Sequence, residues 1–274
     1  MLAASGFIGD PFMAQANVNH TTLEYRLDGP DGAPVIVLSN SLASNLTMWN
    51  PQLPALLNAG FRVLRYDSRG HGGSSVQTGP YTMEMLTGDL AALLDHLRFD
   101  QVCVMGCSMG GMVAQMFAST QPERVRALLL TATACHMPPP DLWDQRIAAV
   151  RAGGMPAVAE GTIERWFTGP GRARMPAEVK RVREMVAATP AEGFCACCEA
   201  IRDMDQRESI KSIRAPTLVI VGEQDPGTPV AAAQAIHERI AGSRLTIIPE
   251  AAHFVHMEQE AAFNAAMTGL LNSL

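Results

Sequence analysis

A chain of 274 residues that is 47% hydrophobic and 18% charged carries enough apolar material for one large core, since chains near this length hide roughly three quarters of their extended surface on folding. The formal net charge of -6, with no Lys/Arg block anywhere, excludes an electrostatic footprint for a polyanion, so nucleic acid is not expected as a partner. The longest apolar runs, such as Ala127 to Ala134, stop well short of the roughly 20 residues of a membrane helix, so no membrane partner is expected either.

The first positive charge is Arg26, so Met1 to Ala16 lacks the basic start of a secretory signal and reads as a loose N-terminal extension. From Val18 to Asp28 apolar and polar residues partly alternate around Asn19-His20, which predicts a hairpin leading into a buried strand, Val35 to Leu38. Apolar runs at Val63 to Tyr66, Val102 to Met105 and Ala127 to Leu130 then alternate with helical periods at Met83 to Leu97 and Met109 to Ser119. Such alternation predicts an α/β fold with a mostly parallel central sheet and helices on both faces.

The rhythm breaks between Cys135 and Ser212, where Pro138-Pro139-Pro140, Gly153-Gly154, Pro156, Gly169-Pro170-Gly171, Pro176 and Pro190 punctuate short helical pieces without a strand. Strand and helix signals resume at Thr217 to Val221, Val230 to Ile240, Leu245 to Ile248 and Glu258 to Leu271. The expected organisation is a core in two parts, 1–134 and 212–274, interrupted by a helical cap over 135–211. Among the six cysteines, Cys103 and Cys107 fall in or beside a buried strand, and Cys195, Cys197 and Cys198 crowd one helix without metal-ligand spacing. They read as packing residues of a reduced, cytoplasmic protein with no metal.

Gly106-Cys107-Ser108-Met109-Gly110 follows the predicted strand Val102 to Met105 and opens a predicted helix, the context of a nucleophile elbow. A serine hydroxyl is a poor nucleophile at neutral pH, so it needs a base and a group that orients that base. Asp225 follows the strand Thr217 to Val221, and His253 follows Leu245 to Ile248, giving the chain order Ser, acid, His. Glu223 and His256 are nearby competitors; Asp225 and His253 are favoured, with His256 expected at a helix start as a surface or capping residue. His71, among the glycines of Gly70-His71-Gly72, is expected to play a structural hydrogen-bonding part. The oxyanion donors are expected to be the amides of Met109 and of Leu42, in the loop Ser39-Asn40-Ser41-Leu42. Serine at the elbow, where epoxide hydrolases and haloalkane dehalogenases place a carboxylate, implies acyl transfer.

These motifs belong to the α/β-hydrolase fold, and the chain resembles one branch of it, the 3-oxoadipate enol-lactone hydrolases. The resemblance rests on Leu38-Ser39-Asn40-Ser41-Leu42, on Leu64-Arg65-Tyr66-Asp67-Ser68-Arg69-Gly70-His71-Gly72, on Gly79-Pro80-Tyr81-Thr82 and on Leu93-Leu94-Asp95-His96-Leu97. It continues through the insertion in Glu164-Arg165-Trp166-Phe167-Thr168 and Ala200-Ile201-Arg202-Asp203-Met204-Asp205. The resemblance implies hydrolysis of an enol lactone in aromatic-acid catabolism without a cofactor, with the insertion as a lid. Trp143, Trp166 and Phe167 would wall the pocket and Ser41 would contact substrate. Such relatives tend to carry Lys or Arg shortly after the sixth strand, where this chain places His136, so His136 is the expected substitute for a carboxylate-binding cation. Two rival readings stay open: a lactonase or carboxylesterase for another small ester, and a ligand-sensing receptor that keeps the triad without efficient turnover. A homo-oligomer is compatible with this composition.

Overall fold

Asn19 and His20 both adopt positive φ, 44° and 59°, the backbone state that a tight two-residue hairpin requires. In the computed structural model, which describes residues 13–274, this turn joins β1 (Ala14–Val18) to β2 (Thr21–Asp28). Ala16 lies opposite Leu23, and both are buried. Residues 14–16 are therefore strand and not loose extension. Their alternation is too short to read as a strand by itself, and pairing across the turn completes it. Residues 1–12 of the expected extension lie outside the described residues.

β3 (Val35–Ser39), β4 (Arg62–Tyr66), β5 (Val102–Cys107), β6 (Val125–Thr131), β7 (Thr217–Gly222) and β8 (Arg244–Ile248) complete an eight-stranded sheet in the order β1-β2-β4-β3-β5-β6-β7-β8. The β1–β2 and β2–β4 pairs are antiparallel, and the rest are parallel. β3, β5 and β7 are buried at every position, as strands covered on both faces must be, and their mostly apolar runs of Val, Ile, Leu, Met and Cys leave no alternating polar face to expose. α1 (Leu53–Asn58) packs on β4, while α2 (Met83–His96) lies on α3 (Met109–Thr120), which in turn covers β3, β5 and β6. α2 begins where the Thr82 hydroxyl accepts the Met85 N–H at 3.1 Å, satisfying a donor that the first turn would otherwise orphan.

Five helices fill the chain between β6 and β7: α4 (Pro140–Gly153), α5 (Pro156–Trp166), α6 (Gly169–Arg174), α7 (Pro176–Ala188) and α8 (Ala191–Asp203). The prolines that break the sequence rhythm start three of them, because a proline at the first helical position gives up an N–H that has no partner there anyway. An antiparallel bridge joins His136 to Asp205, and the Gln206 N–H donates to the Cys135 carbonyl at 2.8 Å. The chain thus enters and leaves the insertion at one stem. The turn Ser209–Ser212 packs on α3.

α9 (Val230–His237) and α11 (Glu260–Leu271) pack against β7 and β8, with the short α10 (Val255–Glu258) between them. Gln259, at φ -128°, breaks what the sequence suggests is one final helix. No described helix is long and apolar enough to cross a membrane. The carboxyl ends of β3, β5, β7 and β8 share one edge of the sheet, where parallel sheets hold ligands.

Candidate active site

At the end of β5 the backbone turns through Ser108, whose φ of 55° and ψ of -117° are strained for any residue with a side chain. The residues two before and two after it cannot be larger than glycine. A Cβ at Gly106 would fall 2.1 Å from the Gly110 carbonyl oxygen, and one at Gly110 would fall 2.1 Å from the Ser39 carbonyl oxygen. The Ser108 N–H donates to the Thr131 carbonyl at 2.9 Å, and the Thr133 hydroxyl donates to the Ser108 carbonyl at 2.7 Å. The bend is held from both sides, so its strain is imposed by the surrounding structure.

Beyond β7, Asp225 is buried and its two oxygens are fully engaged. Oδ1 accepts from the amides of Gly227 (2.8 Å) and Thr228 (3.0 Å), and Oδ2 accepts from the Thr228 hydroxyl (2.7 Å) and from His253 Nδ1 (2.8 Å). Burial alone would raise its pKa, but the charge and hydrogen bond of His253, with the Thr228 donors, outweigh it and hold the carboxyl below its ordinary value. A carboxylate that accepts from Nδ1 fixes the imidazole tautomer and leaves Nε2 as the basic nitrogen. Thr228 goes unnoticed in the sequence; the signal for it is Asp225-Pro226-Gly227-Thr228, a turn that an aspartate side chain caps.

Ser108 and His253 open onto one cavity of about 590 Å³ between the core and the cap, a size usual for small-molecule sites. The Ser108 hydroxyl makes no hydrogen bond to His253 within 3.5 Å; such contacts are often long until substrate draws them together. Glu223, the competing acid, is exposed. His256 is fully buried, not a surface or capping residue, because α10 turns it inward between Trp49 and Phe254, each at 4.9 Å between ring centres. Neither of its ring nitrogens has a hydrogen-bond partner, and burial pushes its pKa down to about 3.

The loop after β3 is stretched over a buried framework. Asn40 donates to the Tyr66 carbonyl at 2.7 Å and accepts from Trp49 Nε1 at 3.0 Å, while Asp67 accepts the Leu46 amide at 2.6 Å and the Gly73 amide at 2.9 Å. His71 Nε2 accepts the Ala43 amide at 3.0 Å, and its Nδ1 faces the Arg69 carbonyl at 3.3 Å; burial keeps the ring neutral, with a pKa near 4. With the Ala43 N–H occupied, the amides of Leu42 and of Met109, the first residue of α3, are left without an acceptor among the described residues. Ser41 lines the cavity, and its buried hydroxyl is unpartnered.

Trp143 and Trp166 reach the cavity, but two other expected contacts do not. Phe167 is fully buried, edge-on to Phe254 at 5.7 Å. His136 sits in the stem of the cap, its Nδ1 3.3 Å from the Met204 carbonyl, where the bridge to Asp205 turns it away from the cavity wall. Two arginines unforeseen as contacts, Arg146 and Arg165, line the cap wall instead. Glu258 was also missed: it accepts from the Ala252 amide at 2.9 Å, and from the Thr168 amide and hydroxyl, tying the His253 loop to the cap. The Phe254 N–H donates to the Trp166 carbonyl at 2.9 Å, adding a second tie. Trp166 stacks near His253, at 6.2 Å between ring centres. All six cysteines are free and buried, and no described group of three or more His, Cys, Asp or Glu could hold a metal ion.

Comparison with known proteins accords with this geometry. The sequence pattern of the alpha/beta hydrolase fold matches residues 34–260. The chain is 38% identical to 3-oxoadipate enol-lactonase 2 of Acinetobacter baylyi over 249 residues, covering 91% of this chain and 92% of that protein. It is 33% identical to 3-oxoadipate enol-lactonase 1 of the same organism over 253 residues, 92% and 94% of the two chains. The crystal structure of the enol-lactonase from Burkholderia xenovorans superposes with a TM-score of 0.92 at 39% identity, covering 94% of this chain and all of that one. The chain belongs to the α/β-hydrolase family, and within it is similar to the 3-oxoadipate enol-lactonases.

Proposed function

We propose that this protein is a cytoplasmic serine hydrolase that opens 3-oxoadipate enol lactone through an acyl-enzyme, with Ser108, His253 and Asp225 as its triad. The observation that carries the reading is the shared cavity: a strained, glycine-flanked serine and a histidine bonded to a buried aspartate line the same wall. Its relatives' names supply the substrate. Ser108 Oγ attacks the lactone carbonyl as His253 Nε2 takes its proton, and the amides of Leu42 and Met109 meet the oxyanion. Collapse breaks the ring C–O bond. The leaving enolate oxygen takes the proton from His253 and stays tethered to the acyl group, so the enol can become the ketone before release. Water, deprotonated by His253, then attacks the ester carbonyl, and the proton returns to Ser108 Oγ as 3-oxoadipate leaves.

In this reading the helices of the 135–211 region act as the lid. Steady-state hydrolysis of the enol lactone, compared with uncharged lactones and aryl esters, tests the assignment. The expected result is the highest kcat/KM for the enol lactone, abolished in Ser108→Ala. A preference for uncharged esters, or a single stoichiometric turnover, would overturn it.

A further inference from the structure

Arg146 on α4 and Arg165 on α5 supply the only guanidinium or ammonium groups among the described residues of the cavity wall, and no Asp or Glu side chain shares that wall. Neither arginine has a carboxylate oxygen within 4.0 Å among the described residues. Among the other cap arginines, Arg151 pairs with Glu199 at 3.3 Å, Arg202 with Asp144 at 2.7 Å and Arg183 with Glu160 at 2.9 Å, while Arg172, Arg174 and Arg181 donate to carbonyl or hydroxyl oxygens. At the cavity, Arg146 and Arg165 are uncompensated by any carboxylate of the wall they line, in a chain whose net charge is -6.

Both groups are oriented without being neutralised. The Arg146 guanidinium lies 4.9 Å from the centre of the Trp143 ring, and Arg165 donates to the Thr162 hydroxyl at 3.1 Å. Burial pulls the Arg165 pKa down to about 10, with the charge of Arg146 adding to the effect, and burial moves Arg146 in the same direction. Two part-buried cations that repel one another are costly in the empty cavity, and an anion between them removes that cost.

We propose that Arg146 and Arg165 form a two-guanidinium site for a ligand carboxylate in the cap wall of the reacting cavity. The guanidinium fork suits a carboxylate's two oxygens better than an imidazole does, and it keeps its charge at every physiological pH. The site takes lactones that carry a carboxylate and the linear dicarboxylates they yield, and it disfavours uncharged esters, which would leave both cations buried without a partner. That the carboxylate belongs to a lactone substrate rests on the proposed function; that the cavity binds a carboxylate does not.

Competitive inhibition of p-nitrophenyl acetate hydrolysis by adipate, against the uncharged adipamide, reads the site directly. Adipate should inhibit the wild type at least about tenfold more strongly than adipamide, and less strongly as salt rises. Arg146→Gln and Arg165→Gln should each weaken adipate about ten- to hundredfold and leave adipamide much less affected, with Lys at either position restoring part of the loss. Equal inhibition by the two compounds in the wild type would overturn the site, and that result needs no variant to fold. Arginine-dependent adipate inhibition without enol-lactone turnover would keep the site and reject the enol-lactone reading. Enol-lactone turnover unaffected by both Gln substitutions would do the reverse.

Discussion

On the core side of the cavity, positions are fixed by backbone: Gly106 and Gly110 lie so close to neighbouring carbonyls that no Cβ fits, and Asp225 is anchored by two amides as well as by Thr228 and His253. On the cap side, Arg146, Trp143, Arg165 and Trp166 reach inward from α4 and α5 on long side chains. A displacement of about 1 Å in the reacting group can cost a hundredfold in rate, so it is built on strand ends and tight turns. Recognition tolerates more, and helices supply it. The ties between the two sides run through Glu258 and through Phe254 to Trp166, immediately beside the base.

Substitutions around Asp225 sharpen the contrast most. Asp225→Asn should lower kcat about ten-thousandfold with little change in thermal stability, because an amide that donates to Nδ1 selects the wrong tautomer of His253. Thr228→Val, which removes one donor and keeps the amide, should cost about ten- to hundredfold in kcat/KM. If both variants lost activity equally, Thr228 would be as important as the carboxylate and the assignment of the acid would fail.

A smaller effect separates His256 from His253. His256 is buried neutral with its pKa lowered to about 3, so the unfolded chain binds a proton more readily than the folded one does. The sign follows: the neutral ring's contribution is complete above the unfolded value near 6.5 and is lost as pH falls toward 3. In His256→Phe, unfolding free energy measured in urea should improve on the wild type progressively below about pH 6, by up to roughly 1.4 kcal/mol per pH unit. Activity at pH 7 should stay within the same order of magnitude. A stability difference independent of pH would mean that the imidazole carries its proton or a hidden partner.

How much of this was legible in the sequence follows the same division. The strands were readable because buried parallel strands are mostly apolar runs, and the proposed triad because a serine elbow, an acid and a histidine each follow a strand end in fixed chain order. The proposed oxyanion donors, the amides of Leu42 and Met109, are defined by backbone position in the same way. The cap contacts were only partly readable: Trp143 and Trp166 reach the cavity as expected, whereas Phe167 and His136 do not and Arg146 and Arg165 went unforeseen. Trp143 and Arg146 are three residues apart on α4, which puts them on neighbouring turns, but that spacing does not say which flank of a half-exposed helix meets the core. His136 was misplaced because proximity to a strand end does not fix side-chain direction, and the stem bridge to Asp205 turns it aside. α5 ends at Trp166, whose ring reaches the cavity, and the extended backbone of Phe167 just beyond it, at φ -129° and ψ 140°, carries the next ring into the core.

The claim beneath all of this is that Ser108 carries the acyl group. Rapid quenching of p-nitrophenyl acetate hydrolysis, followed by mass mapping of the acetylated peptide, measures it. The account predicts one acetyl group on Ser108 that disappears as product accumulates, and none in Ser108→Ala; an acetyl group on another residue, or undiminished hydrolysis by Ser108→Ala, would contradict it.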